Sequence, residues 1–415
     1  MKPIDIAVVG GGASGLMAAL SAGQRLGPGR VVVLERQNRV GKKLAATGNG
    51  RCNLTNMNPD NTRYHGADVG FMSPAMSAFP PQKIRDYFED LGLMTKEEAL
   101  GKVYPTSDQA SSVLDVLRLS LEALGVQEKC EAGVRSLNPI RQGYELVLQS
   151  GEKLAARRII WAPGGQTVPN LGGDPSGLSI LKALGHPVTR CFPALVQLKT
   201  PPEAVRALKG IKYEGEISIW INGNLKRTET GEVLFTDYGL SGPPVLQLSR
   251  WASLAFQQKR PPMVEVALRI WNEDFQTTYE RLKNRAQDLG QRTLQDFLTG
   301  WLNKRLGQTL VKLSGGQPFS RACSSLSEIE LRTLAGLMTD WRLPVTGVQG
   351  FREAQVTAGG LDVRAFDSKT LESKLLPGLF CAGEVLDIDG DCGGFNLQWA
   401  WASGLLAAQS ACDSL

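Results

Sequence analysis

Histidine is nearly missing from this chain: among 415 residues there are two, His65 and His186. A histidine-built zinc site or a Ser-His-Asp triad therefore has little material to draw on. His186 stands in Leu184-Gly-His-Pro187, a turn closing a helix, where a structural role suits it. The seven cysteines are odd in number and scattered, with no Cys-x-x-Cys pair. That pattern argues against a disulfide framework or thiolate cluster and for free thiols in a reducing, cytoplasmic setting. No apolar run reaches membrane-spanning length; Leu397–Ala408 is interrupted by Gln398, Ser403 and Gly404. Met1-Lys-Pro-Ile-Asp5 leads straight into a strand-like run, so no signal peptide is expected. Asp387-x-Asp389-x-Asp391 opens like a calcium loop. Cys392 then stands where glycine is needed and Gln398 where glutamate is needed, so no metal is expected. With so few side-chain catalysts, the chemistry is expected to belong to a cofactor.

Glycine is abundant, and its placement is informative. Ile4-Asp-Ile-Ala-Val-Val-Gly-Gly-Gly-Ala-Ser-Gly15 reads as a strand, a sharp turn and a helix start. Gly10 permits the turn, Gly12 lets backbone approach a pyrophosphate, and Gly15 allows the following helix to pack on the sheet. The helix N-terminus receives the phosphates. Twenty residues on, Val31-Val-Val-Leu-Glu35 ends in an acid suited to ribose hydroxyls. A second block, Leu379–Gly404, repeats the logic: a strand leading to Gly383-Glu384, a Gly393-Gly394 turn, and a helix opening at Phe395-Asn396. The two together describe a site in which FAD lies between contributions from both ends of the chain. Amides at the second helix start would face the flavin pyrimidine edge, where negative charge accumulates on reduction. No second Gly-x-Gly-x-x-Gly follows a strand, so NADPH or NADH would visit the flavin transiently rather than occupy its own domain.

A third block, Gly41-Lys-Lys-Leu-Ala-Ala-Thr-Gly-Asn-Gly-Arg-Cys-Asn-Leu-Thr-Asn56, offers many backbone amides together with Lys43 and Arg51. A long loop without apolar periodicity suits pyrophosphate and flavin contact. Ala162-Pro-Gly-Gly165 follows another strand-like run, Arg158–Trp161, at the end where open α/β sheets bind ligands.

Residues 1–190 alternate strands and helices, and the same texture returns from 343 to 415. The expected architecture is α/β: one FAD-binding domain from 1–190 and 343–415, with an inserted cap at 191–342. The cap reads as β-rich over 191–270 and helical over 271–342, with one polar helical stretch spanning Asp274–Leu310. Residues 191–330 carry 18 Lys and Arg against 14 Asp and Glu, leaving 28 against 27 elsewhere. Most of the net +5 therefore sits on the insert, in Lys226-Arg227, Lys259-Arg260, Arg281/Lys283/Arg285 and Lys304-Arg305. Such charges suit either a solvated helical face or a phosphate-rich partner such as RNA.

These blocks, with Gly101–Ser107, Phe235–Ser241 and Ala354–Gly360, make the chain resemble the BaiN-like flavoprotein family, also described as aminoacetone-oxidase-like, nearly end to end. The resemblance implies a glutathione-reductase-like FAD-binding Rossmann domain with an inserted domain. It implies one of three activities: reduction of bile-acid intermediates, amine oxidation, or formation of dihydrouridine in ribosomal RNA. One departure is Asp237-Tyr238, where relatives often carry a histidine after the threonine, so no imidazole role is carried over. The cofactor-binding residues expected from these motifs are Gly10, Gly12, Ala13, Ser14 and Gly15; Glu35 and Arg36; Lys43, Thr47, Gly48, Arg51 and Asn53; Val134; Ala162, Gly164 and Gly165; and Gly383, Glu384, Asp391, Gly394, Phe395, Asn396 and Leu397.

Hydride transfer to a C=C also needs a proton for the other carbon. Cys52, next to Arg51 in the third block, is the candidate catalytic acid, a neighbouring cation tuning its pKa; Tyr104 and Tyr238 are further candidates. The expected function is an FAD-dependent oxidoreductase delivering hydride to an activated C=C, either ribosomal RNA uridine, which the basic insert favours, or a bile-acid-like enone. An oxidase passing electrons from an amine to oxygen, and a non-enzymatic flavin-stabilised RNA-binding or redox-sensing protein, are the alternatives.

Overall fold

A run of small and β-branched residues, Ile4–Val9, can be buried on both faces only inside a sheet covered by helices. In the computed structural model, which describes residues 3–415, this strand is flanked by parallel neighbours, Val31–Leu34 and Lys153–Trp161. Gln127–Lys129 extends the sheet beyond Val31–Leu34, and Leu379–Cys381 pairs in parallel with the end of Lys153–Trp161. The first half of Lys153–Trp161 pairs instead with Gly143–Leu148, antiparallel, and that strand with Val134–Ile140. The register aligns Val9 with both Leu34 and Trp161, and Trp161 with Cys381. All four strands therefore end at one edge of the sheet, and the turns after them (Gly10, Glu35, Ala162–Gly165, Ala382–Glu384) emerge side by side.

Two helices cover this sheet and pack on each other, Ala13–Leu26 and Phe395–Asp413. Their approach is set by small residues: a Cβ on Gly404 would lie 2.5 Å from the Ser14 carbonyl. Trp399 and Trp401 are buried. The Trp401 indole donates to Leu54 O at 2.9 Å and meets Phe88 edge-on at 5.1 Å between centroids.

The chain divides into two compact units, Met1–Phe192 with Gln355–Leu415, and Pro193–Ala354, each with its own apolar core. The second unit is built on an antiparallel sheet ordered Trp341–Pro344, Val264–Arg269, Lys212–Ile221, Asn224–Phe235, Gly239–Ser241, Leu198–Lys199, Gly347–Val348. Its last two strands to form in sequence place the return to the first unit after Ala354, which corrects the boundary expected at 342. The insert also departs from its expected β-then-helical layout. Helix Pro243–Phe256 lies within the β-rich half, and the stretch expected as one helix over Asp274–Leu310 is broken into Phe275–Asp288 and Lys304–Leu313. Among the described residues, no helix is long and apolar enough to cross a membrane.

Candidate cofactor site

The glycines of the first turn are required for two different reasons. Gly10 has φ +104°, and a Cβ there would overlap Ala162 O; a Cβ on Gly15 would overlap Gly10 O. Both are demanded by the protein's own packing. Gly12 has φ −86° and ψ −171°, extended backbone that any residue adopts, and a Cβ there would meet nothing within 4 Å. Its bareness keeps a space open in front of the helix that begins at Ala13. No side chain caps that helix, so the amides of its first turn, Ala13, Ser14 and Gly15, face that space without intrahelical acceptors. The C-terminal helix is likewise uncapped by any side chain, beginning at Gly394 with φ +98°. Gly383, φ +76°, packs over the Ser14 hydroxyl and donates its N–H to Ser403 Oγ at 3.0 Å.

Glu35 holds the turn from the neighbouring strand end. Its Oε2 accepts from Gly11 N at 2.8 Å and its Oε1 from Gln37 N at 2.7 Å, while Ala132 N donates to its carbonyl, bringing Ala132–Val134 alongside. Arg36 is directed elsewhere: its guanidinium is tied to Asp174 at 3.0 Å and to Gly172 O at 3.1 Å.

Lys43 and Glu384, 341 positions apart, meet at 2.7 Å, and Lys43 also donates to Thr167 Oγ1 at 2.8 Å. The other Glu384 oxygen accepts from Thr357 N, and Thr357 Oγ1 accepts from Gln166 N, both at 2.8 Å. Gly165 lies against this cluster so closely that a Cβ would press on Thr357 and Glu384. Gly164, φ +79°, has open space beside it. Thr167 and Thr357 were missed from sequence; the Ala354–Gly360 motif was the available signal for the second.

The third block is more structured than a loop. Lys42–Ala45 forms a short helix and Thr47–Gly50 a turn, and Thr55–Asn56 pairs with Lys102–Pro105, joining two motifs distant in sequence. The Thr47 hydroxyl closes back on Leu44 O. Gly48 takes φ +57° beneath Asn53 N and the Tyr104 ring. Asn53 Oδ1 is buried with no hydrogen-bond partner.

Two expectations here are corrected. Arg51 does not tune Cys52: its guanidinium is bound by Asp108 and Glu98 at 2.5 Å and lies 4.1 Å over the Tyr104 ring, and these carboxylates raise its own pKa. Cys52 is buried, and desolvation pushes its thiol up to about 12. Asp391 does not extend into an open site either. It is buried, accepting from His65 Nε2 at 2.9 Å with Arg63 at 3.4 Å. His65 and Tyr64 were not foreseen as neighbours of the site; the Tyr64 hydroxyl donates to Phe395 O at 3.1 Å, and its ring stands edge-on to Phe395. Asn396 ties its carboxamide to Gly390, and Leu397 is packed at the core margin. Among the described residues, no group of three or more His, Cys, Asp or Glu could hold a metal ion.

The residues fit a dinucleotide. A glycine turn with unfilled space, two helix N-termini without a side-chain cap and an orphaned buried acceptor each lack a protein partner that a bound cofactor would provide, and Glu35, already held by two backbone amides, stands at the neighbouring strand end. Fold and site together define an FAD-binding oxidoreductase of Rossmann type. The chain belongs to the family of the HI0933-like protein Rossmann domain, whose model matches residues 4–410. It is 36% identical over 98% of its length to the 3-dehydro-bile acid delta(4,6)-reductase of Clostridium scindens, covering 99% of that protein. It is 31% identical to the ribosomal RNA dihydrouridine synthase of Escherichia coli, covering 99% of this chain and 98% of that one. Among solved structures, the quinol fumarate reductase FrdA of E. coli shares the fold, with a TM-score of 0.51 at 15% identity, covering 99% of this chain and 70% of that chain.

Proposed function

We propose that this protein reduces a carbon–carbon double bond conjugated to a carbonyl, with NADPH or NADH as transient electron donor. The observation that supports this best is that two relatives aligned over nearly the whole chain bear names with one chemistry in common. In a 3-dehydro delta(4,6) steroid and in uracil alike, the alkene is polarised by an adjacent carbonyl. Bound FAD supplies the hydride chemistry. The chain holds it with the Gly10–Gly15 turn, Glu35, and the Lys43–Glu384 cluster, and the amides at Phe395 favour negative charge nearby. Of the two substrates we favour a small enone. In the insert, Arg227 pairs with Glu229, Arg281 with Glu273 and Lys304 with Asp296, while Arg285 binds the carbonyls of Phe297 and Thr299. Several of the cations named above are thereby engaged within the unit, as on a solvated face, while its net positive charge is unchanged. All seven cysteines are free, which suits a cytoplasmic location.

For the proton we assign Tyr104 over Cys52. Burial raises both groups, opposed at Tyr104 by the Arg51 cation over its ring and at Cys52 by the Thr47 hydrogen bond, but Cys52 is sealed from solvent whereas Tyr104 keeps some exposure through which a proton can be replaced. The test is a pair of half-reactions. NADPH or NADH should bleach the flavin anaerobically, and a 3-oxo-4,6-diene steroid should reoxidise it faster than oxygen or a uridine-bearing rRNA transcript does. Tyr104→Phe should slow reoxidation by the enone on the order of a hundredfold with bleaching unchanged, and Cys52→Ala should leave both rates near wild type. Bleaching by amines but not nicotinamides, with peroxide formed in air, would make the oxidase the better reading.

A further inference from the structure

The carboxamide of Asn53 is out of keeping with its surroundings. Next to it, Thr55 Oγ1 donates to Gln398 at 2.6 Å, and Asn56 is engaged at both ends, donating to Gly393 O at 2.8 Å and accepting from Asn58 N at 3.0 Å. Asn53 Oδ1 is buried and has no partner. A buried acceptor left unsatisfied destabilises the protein that carries it. Its location gives the reason for keeping it: a Cβ built on Gly394, the residue that opens the C-terminal helix, would lie 3.0 Å from this oxygen. The acceptor thus stands beside a row of uncapped helix amides, which are donors.

Donor beside acceptor is the complement of the flavin's pyrimidine edge, where carbonyl oxygens flank the N3–H group. We propose that Asn53 Oδ1 is the acceptor for the flavin N3–H, kept unpaired by the protein so that the cofactor satisfies it. The proposal rests on the FAD reading above. It goes further by assigning one atom of the chain to one group of the ring. It also separates Asn53 from a residue that merely shapes the loop, because a shaping residue stabilises the empty protein and this one does not.

Asn53→Ala and Asn53→Leu, the second nearly the size of asparagine, provide the test in the full-length chain stripped of flavin and then reconstituted with FAD. Both variants should melt, without flavin, no lower than wild type, because an unpaired acceptor has been removed. Both should bind FAD roughly tenfold more weakly. In both, the N3–H of the bound oxidised flavin should ionise at lower pH than in wild type, read from its absorption spectrum, because an acceptor on N3–H favours the protonated form. An N3 ionisation unmoved in both variants would overturn the assignment, as would flavin-free variants that melt well below wild type. Wild-type protein that takes up no FAD would instead overturn the cofactor reading beneath it.

Discussion

Gly12 and Gly15 stand three residues apart and are glycines for opposite reasons. At Gly15 the obstacle to a side chain is the Gly10 carbonyl, part of the protein itself; at Gly12 there is no obstacle and no unusual backbone angle. The two substitutions should therefore fail differently. Gly12→Val should give a folded protein with a wild-type melting temperature that retains no FAD on purification. Gly15→Val should lose the fold, since the helix cannot approach the sheet, and should come out insoluble or unfolded by circular dichroism. Gly12→Val protein that stays yellow would show that the pyrophosphate does not pass this residue. The motif made both glycines legible in the sequence, but only the coordinates divide them into one serving the fold and one serving a ligand. The pairing of Lys43 with Glu384 was not legible, because nothing local to either residue signals a partner 341 positions away. Nor was the loss of Arg51 as a tuner of Cys52, since adjacency in sequence says nothing of where a guanidinium turns.

Among elements, the helix Glu328–Thr339 shows how charge and capping act together. Ser327 and Glu330 form a reciprocal cap: Glu330 N donates to Ser327 Oγ, and Ser327 N donates to Glu330 Oε2 at 2.7 Å. Arg321 grips the same carboxylate at 2.7 and 3.2 Å. These bonds, the arginine foremost, hold the Glu330 carboxyl down at about 2 from the usual 4.5. Because the folded pKa is depressed, the stabilisation is present above pH 4.5 and is lost as pH falls toward 2. Glu330→Gln should destabilise the protein by about 1–2 kcal/mol at neutral pH and match wild type near pH 2; a parallel offset at all pH values would count against the ion pair. The helix Ala110–Ala123 buries Ala110, Val113, Leu117 and Leu121, a helical spacing that a sequence displays openly. The helix Pro243–Phe256 was not foreseen, although its two prolines stand in the first turn, where proline is well suited to a helix. The short strands Trp341–Pro344 and Gly347–Val348 are too brief for any pattern and are held by pairing with Val264–Arg269 and Leu198–Lys199.

At the scale of the molecule, the first unit is assembled from segments on either side of the insert. Leu379–Cys381 completes its sheet and Phe395–Asp413 covers its first helix. Ending the chain at Ala354 should therefore abolish FAD binding with the Gly10–Gly15 turn untouched, measured by flavin fluorescence on titration; normal binding by the truncated chain would show the N-terminal segment to be sufficient. The same arrangement sets an order of events during synthesis. Residues 193–354 are complete, with a core of their own, while the sheet made before them still lacks a strand and the helix Ala13–Leu26 still lacks its cover. A chain emerging from the ribosome must hold that unfinished apolar surface until the last segment arrives, which is when the unit is most open to aggregation. Loading of FAD belongs after that point, so yield in the cell should depend on flavin supply and on chaperone capacity late in translation.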